Sequence, residues 1–310
     1  GIEKMKIEFN DAVNFYIDDI NSAPIKLNVG EKLTTESYSN ENSVVTKANL
    51  VKVEIPDNSA GVKTIDTNAF SSCGKLKEVI IGNSVTSIGI SVFQLSKSLE
   101  SVIIPDSVTS IGFGAFNSCE GLKSLTIPDS VTIIEGRLFS FCTGLTSVKL
   151  SNNATIIKEK AFQGCTKLTS VTIPDSVTSI GNEVFKDCSE LASVIIPNNV
   201  ETIGDSAFAY CSVLNPVTIG DSVTSIGEKA FSYCGALQSV IIPDSVTSID
   251  LGGFFGCTEL RSVTIGNGLT VISSILFSAC KKLDSVIIGN KVEKIDDGAF
   301  AGCTALQSLT

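Results

Sequence analysis

Histidine is absent from the 310 residues. That removes at once the commonest general base and the Ser-His and Cys-His pairs that activate nucleophiles. No phosphate-cradling loop or dinucleotide fingerprint takes their place. No run approaches 18 apolar residues, so no segment reads as a transmembrane helix. Basic residues are also short: Lys and Arg number 23 against 33 Asp and Glu, a net charge of −10. They are scattered, with no basic aromatic stripe, which argues against nucleic acid and against anionic membrane surfaces as partners. A signal peptide is missing, and a start at Gly1 without one is what the mature form of an exported protein would have. Together these absences predict a protein that is no enzyme and takes no cofactor.

What is present is a period. Phe70, Phe93, Phe116, Phe139, Phe162, Phe185, Phe208, Phe231, Phe254, Phe277 and Phe300 are each 23 residues apart. A fixed repeat this short means that each unit is one coil, which buries its apolar face only by stacking on its neighbours. Three residues after each Phe stands Cys, with Ser96 the sole exception, and after six stands Leu. In Leu99-Glu100-Ser101-Val102-Ile103-Ile104-Pro105, Val102 and Ile104 share a face by strand alternation, which marks the main strand. Pro105 has no N–H for a ladder and Asp106-Ser107 favour a turn, so the strand ends there. Val108 to Ile111 reads as a second short extended run, Gly112 as a bend, and Ala115 to Cys119 as a single helical turn. In-register coils about 4.8 Å apart turn Phe, Cys, Leu, Val and Ile into internal ladders. The expected body is a right-handed solenoid of about eleven parallel strands, roughly 50 Å along the stack.

Towards the N-terminus the period fades. Phe9, Ala12, Val13, Tyr16, Ile17 and Ile20 recur with helical spacing and predict an amphipathic helix over the first coil, with Ile25 to Val29 a possible strand. Residues 1–45 are accordingly read as an N-terminal cap region, part helical, and residues 46–310 as the solenoid. The last coil stops at Thr310, where it offers an open face for self-association.

The 10 cysteines suggest disulfides or a metal site, but they share one inward phase. Neighbouring Cβ atoms would point in parallel rather than at each other, and ligands along a line do not converge on a metal. Reduced, buried thiols packed as small hydrophobes are expected. At the turn, Asp106, Asp129, Asp175, Asp221 and Asp244 alternate with Asn83, Asn152, Asn198, Asn267 and Asn290. Calcium on this ridge is conceivable, but capping of the turns is the favoured reading. No metal ligand set is assigned.

The unit L-x-x-V-x-I-P-x-S-V-T-x-I-G-x-x-A-F-x-x-C resembles the BspA-type, or Treponema-type, leucine-rich repeat, and does so over residues 50–310. Leu99, Val102, Ile104, Pro105, Val108, Ile111, Ala115, Phe116 and Cys119 stand at its signature positions. The position that holds Asn in most other leucine-rich repeats is Ser107, Ser130, Asn153, Ser176 or Ser245 here, and it decays to Gly268 and Lys291. The resemblance implies a curved leucine-rich repeat solenoid, with a parallel β-sheet on the concave side and short strands and helical turns on the convex side. It also implies a surface or secreted protein of a host-associated organism. Members are described as adhesins for extracellular-matrix proteins or other cells, without catalytic residues.

Binding residues are then sought as departures from the consensus. On or near the concave face these are Lys123, Lys149, Thr172, Asn215, Pro216, Thr218 and Arg261, and at one flank phase Tyr210 and Tyr233. Pro216 lacks the N–H that Ser supplies in other coils, and is expected to free a carbonyl in the concave ladder. Two functions fit: an extracellular or cell-surface module that binds host or matrix protein, or glycan, and a structural spacer that displays another domain with no ligand of its own.

Overall fold

The computed structural model describes residues 12–17, 25–28, 32–35, 45–57 and 62–310. The 23-residue unit makes one circuit with two strand segments, and most circuits pair in parallel with the next; the main-strand ladder is interrupted between Ser101–Ile103 and Ser124–Thr126, between Ser170–Val171 and Val194–Ile195, and between Val217–Thr218 and Ser239–Ile242. Along the main strand, Ser124, Leu125 and Thr126 lie opposite Ser147, Val148 and Lys149, a register of 23 residues. The same offset recurs from Lys52–Val53–Glu54 against Glu78–Val79–Ile80 to Ser285–Val286 against Ser308–Leu309. A second parallel ladder runs up the other side of the coil, with Ile157 beside Ile180, Ile203, Ile226 and Ile249 in turn. The chain is therefore a parallel β-solenoid of about eleven turns.

Between the two sheets lies one continuous core. Its axis is the phenylalanine ladder, whose rings stack face to face with centroids 5.7 Å apart at Phe70–Phe93 and 5.1 Å at Phe208–Phe231. Every ring from Phe70 to Phe277 is fully buried, whereas Phe300 is half-buried at the end of the stack.

The helical turn expected around each Phe is not there. From residue 45 onward the described residues form no helix of any length. Residues two before and two after the Phe are left-handed: φ is 60° at Gly114 and 58° at Ser118 around Phe116. Alternate N–H groups leave the coil, so that Gly114, Phe116 and Ser118 donate to Gly136, Leu138 and Ser140 of the next circuit. The residues between them donate backwards within the coil, as Asn117 does to Gly114 and Cys119 to Phe116. A helix would keep all these donors internal and would cut the convex link between coils. Gly112 also differs from expectation. It is needed for close approach rather than for a bend, since a Cβ there would lie 2.6 Å from the backbone of Gly89 one coil earlier.

The second correction is at the N-terminus. Ala12–Ile17 is a strand, β1, not part of a helix, and pairs antiparallel with β2 (Ile25–Asn28) and with β4 (Leu50–Glu54), the first main strand. Val13 and Phe15 alternate inward and are fully buried, which is strand periodicity. Tyr16, on the outer face, bonds Glu54 through its hydroxyl at 3.0 Å. Phe9 and Ile20 of the expected helix lie outside the described residues. The short strand β3 (Lys32–Leu33) pairs with β5 (Thr64–Ile65) and opens the second ladder in the same way.

The cysteines do more than fill space. Each Sγ from Cys119 to Cys303 lies within hydrogen-bond reach of the Phe carbonyl of the preceding coil, as Cys142 does to Phe116 at 3.0 Å and Cys165 to Phe139 at 3.1 Å. Ser96, the exception in the sequence, performs the same task with its hydroxyl, at 2.8 Å from the Phe70 carbonyl. The thiol is a weak donor, but it prevents a buried carbonyl from being left unpaired. All 10 thiols are free. Burial pushes up the pKa values of Cys119, Cys142, Cys165, Cys188, Cys211, Cys234 and the half-buried Cys303, to about 12 at Cys142 and about 11 at Cys303.

Two measurements follow from this core. Phe162→Ala removes a fully buried rung and is expected to cost about 3–5 kcal/mol in denaturant titration, and Phe300→Ala clearly less; equal losses would contradict the stacking. Thiols of the unfolded chain ionise from about pH 8.5, whereas the buried ones hold their protons to higher pH. The unfolded state thus binds fewer protons in this range, so stability is complete below about pH 8.5 and falls as pH rises towards the folded values. Alkaline melting curves check this, and thiol titration at pH 8 should find Cys303 reacting first.

Candidate functional site

The concave sheet is built from strands of two to five residues whose middle residue points into the core. Two outward positions per coil remain. The first holds Ser101, Ser124, Ser147, Ser170, Ser193, Pro216, Ser239, Ser262 and Ser285; the second holds Ile103, Thr126, Lys149, Thr172, Ile195, Thr218, Ile241, Thr264 and Ile287. At these positions no aromatic side chain stands and one charged residue does, Lys149; the first two main strands differ, with Lys52, Glu54 and Glu78 outward and Tyr16 beside them. Ile103, Ile195, Ile241 and Ile287 expose 55%, 69%, 69% and 52% of their surface, far more than a strand needs for folding.

The floor of the sheet is dished over the first half of the stack. A hollow of about 460 Å³ spans Ser101 to Lys149, and Val148 and Lys149 also line a neighbouring one of about 310 Å³ that reaches Thr172 and Pro174. A third, between Ser170 and Pro197, continues the line past Ile195. The Lys149 side chain is exposed at the junction and makes no ion pair or hydrogen bond among the described residues, though its charge acts on Asp129. Cations on the flanks behave differently: Lys158 meets Glu135 at 2.8 Å and Lys282 meets Glu259 at 2.7 Å.

The nine residues singled out in the sequence do not form one site. Lys149, Thr172 and Thr218 face outward on the concave strands, and Lys123, Arg261, Asn215 and Pro216 lie at the lip where the chain enters those strands. Tyr210 and Tyr233 sit on the convex side, in the left-handed position two after the ladder Phe, at φ 63° and 59°. Their rings stack at 4.8 Å, and Phe255 meets Tyr233 edge-on at 5.2 Å. Elsewhere this position holds Ser72, Leu95, Ser118, Asp187 or glycine, so the tyrosine pair is a local choice made at a strained backbone position. Phe141 holds it earlier in the chain, with its ring over Gly164.

Around Pro216 the concave ladder is interrupted on one side, since Val217–Thr218 pairs with Val194–Ile195 and with no strand of the next coil. In some coils the carbonyl seven residues after the Phe accepts two N–H groups of the next coil, as Lys123 does from Thr146 at 2.9 Å and Ser147 at 3.5 Å, and in others one, as Thr169 does from Ala192 at 3.1 Å. At Ala192, beside the proline, the bond from Asn215 at 2.8 Å is present, so that carbonyl keeps a partner. One coil later the Asn215 side chain accepts the Gln238 N–H at 3.4 Å. The acidic ridge is likewise occupied by its own backbone: Asn152 donates its N–H to Asp129 at 2.8 Å, and Asn267 to Asp244 at 2.7 Å. These bonds hold the Asp129 carboxyl below its ordinary pKa range.

With this geometry in place, likeness to known proteins is informative. The profile of the BspA type leucine rich repeat region, in 6 copies, matches residues 40–148, 63–192, 109–237 and 224–310. A leucine-rich repeat protein from Bacteroides ovatus superposes with a TM-score of 0.70 at 24% identity, over 96% of this chain and 80% of that one. A leucine rich cell surface protein from Faecalibacterium prausnitzii does so at 0.50 and 29%, over 97% and 93%. The pneumococcal vaccine antigen PcpA gives 0.54 and 22%, over 85% and 72%. No curated protein matches the chain.

If the turn ridge is a backbone cap, Asp129→Asn, which copies Asn152 and Asn198, should leave the unfolding midpoint unchanged, and Asp129→Ala should lower it. A melting temperature that rises with calcium in the parent chain and in neither variant would instead make the ridge a metal site.

Proposed function

The chain belongs to the BspA-type leucine-rich repeat family, and from that premise we propose that it is a non-catalytic binding module displayed at the cell surface or secreted, which contacts another protein through its concave sheet. The observation that carries this is the row of isoleucines exposed by half or more on that sheet. Serine or threonine would meet the strand requirement equally well, as they do at Thr126, Thr172 and Thr218. Isolated apolar residues are ordinary on any surface, but a row at one phase of a dished sheet is a feature that partners use. Host or matrix protein is preferred over glycan as the partner class, because the strands that carry the exposed isoleucines offer no aromatic ring on which a sugar could stack. The similarity to a bacterial cell surface protein at 29% identity supports display outside the cell.

The reading is tested with matrix proteins on a surface and the full chain in solution. Ile195→Glu and Ile241→Glu should reduce capture at least tenfold without moving the melting temperature by more than a few degrees, since both side chains are exposed. Tyr210→Ser with Tyr233→Ser should leave capture unchanged. Loss of capture in the tyrosine variant alone would move the site to the convex flank. A chain that binds no such protein would be a spacer.

A further inference from the structure

The stacked tyrosines of the convex side take no part in the concave reading, yet they stand where the backbone is least suited to a large side chain. Tyr210 and Tyr233 are left-handed, a conformation that an L-residue keeps only where its surroundings hold it and that gathers at functional sites. Two rings in succession at this phase occur nowhere else in the described coils. The coils that carry them are joined without a break, since Asp187, Tyr210 and Tyr233 donate their N–H groups to Ala209, Ser232 and Phe255 of the next coil at 2.9, 2.9 and 2.8 Å. One end of the stack is closed. Phe255 meets Tyr233 edge-on, and the Tyr233 ring lies so close over Gly256 that a Cβ there would fall 3.0 Å from it. The other end is open, because the residue one coil before Tyr210, at the same phase and at a φ of 62°, is the short Asp187. Tyr210 exposes 45% of its surface.

The open face sets two requirements. The two tyrosine rings are 4.8 Å apart with their planes within 10°, so a flat group stacked on the outer face of Tyr210 lies about one such step back, at the level of Asp187. The carboxylate then stands at its edge. That carboxylate makes no hydrogen bond or ion pair among the described residues, and its charge acts on the buried thiols of Cys188 and Cys211. The cations around it are engaged elsewhere: Lys160 and Lys186 both hold Glu183, at 3.3 and 3.2 Å, and Lys229, whose charge is felt by both phenols, is paired with Glu228. A flat cation meets both requirements. The negative ring face attracts it, and a guanidinium presents its N–H fork in its own plane, where a carboxylate accepts two bonds side by side. An ammonium can pair with Asp187 but has no plane to stack. A sugar ring can stack, but it leaves the carboxylate uncompensated in a chain whose net charge of −10 draws cations.

We propose that the outer face of Tyr210, with Asp187 at its edge and Tyr233 behind it, is a second interaction point, which takes an arginine side chain of a partner protein by stacking and a bidentate ion pair. It lies across the coil from the exposed isoleucines and does not rest on the concave reading. Tyr233 and Phe255 are the backing that holds the Tyr210 ring in place, which lowers the cost of ordering it when the arginine arrives.

The test uses the full chain with isotope-labelled tyrosine rings, followed by NMR, and three blocked tripeptides: Gly-Arg-Gly, Gly-Lys-Gly and Gly-citrulline-Gly. Tyr210→Phe and Tyr233→Phe assign the ring resonances. The arginine peptide should move the Tyr210 resonances saturably and bind at least about fivefold more tightly than the lysine peptide, while citrulline, which is flat but uncharged, should not saturate. Asp187→Asn and Tyr210→Ser, the latter copying Ser118, should each weaken the arginine peptide at least about fivefold, the serine variant being read at Tyr233; Ile195→Glu should leave it unchanged. The comparison of arginine with citrulline needs the parent chain alone, so it decides even where a variant is destabilised. Equal binding of those two peptides, no saturable shift at Tyr210 up to about 10 mM, or binding that Asp187→Asn leaves intact overturns the proposal. A shift at Tyr210 with malto-oligosaccharide and none with the arginine peptide would make the face a sugar platform instead. Loss of peptide binding in Ile195→Glu would place the arginine on the concave sheet and overturn it as well.

Discussion

The parallel register of 23 residues is the constraint on which the rest of the molecule depends. Each coil completes its hydrogen bonds on its neighbours along three lines: the main strand, the second short strand and the left-handed convex turns. A residue type that suits one coil at a given phase then suits all of them, because the same residue stands above and below it. The Phe rings stack on Phe rings, and each thiol reaches the same carbonyl one coil back. Apolar burial supplies the driving force, but only between coils, since a single circuit has no second face to cover its own.

Registered stacking also explains residues that look costly in isolation. Left-handed backbone at Arg137, Phe141 or Ile275 is unfavourable for an L-residue. It is retained because the alternation of left-handed and other residues turns every second N–H towards the next coil. Asp and Asn on the turn ridge follow the same logic. Their side chains accept the N–H of the residue above, and the interleaving of Asn with Asp limits the repulsion that a line of carboxylates would build up.

Against so uniform a scaffold, function is carried by departures from the repeat. From the coil of Ser101 onward the outward positions of the concave strands are neutral, apart from Lys149, in a chain of net charge −10. Charges gather instead on the flanks, where many are paired across one coil. A neutral face with exposed isoleucines does not repel partners through the overall charge. The stacked tyrosines on the convex side are a separate departure, remote from that face in the circuit of the coil.

The sequence by itself determined what repeats. The spacing of Phe, Cys, Leu and the Val-x-Ile pair identified the coil, its inward residues and the main strand, because a pattern read eleven times averages out local ambiguity. Free, buried cysteines and the turn role of the Asp–Asn ridge were legible for the same reason. Tertiary structure decided what depends on a neighbour. Val13 and Phe15 fit a helical spacing or an alternating one, and the open edge of Leu50–Glu54 selects the strand by offering backbone partners. The convex turn reads as helical from its composition, but its N–H groups are claimed by the next coil. At Pro216 the Ala192 carbonyl keeps its bond from Asn215, and the ladder is interrupted on the other side, towards the next coil. The candidate binding residues, a scattered set along the chain, are sorted onto the floor, lip and convex side by the circuit of each coil, which no spacing along the sequence specifies.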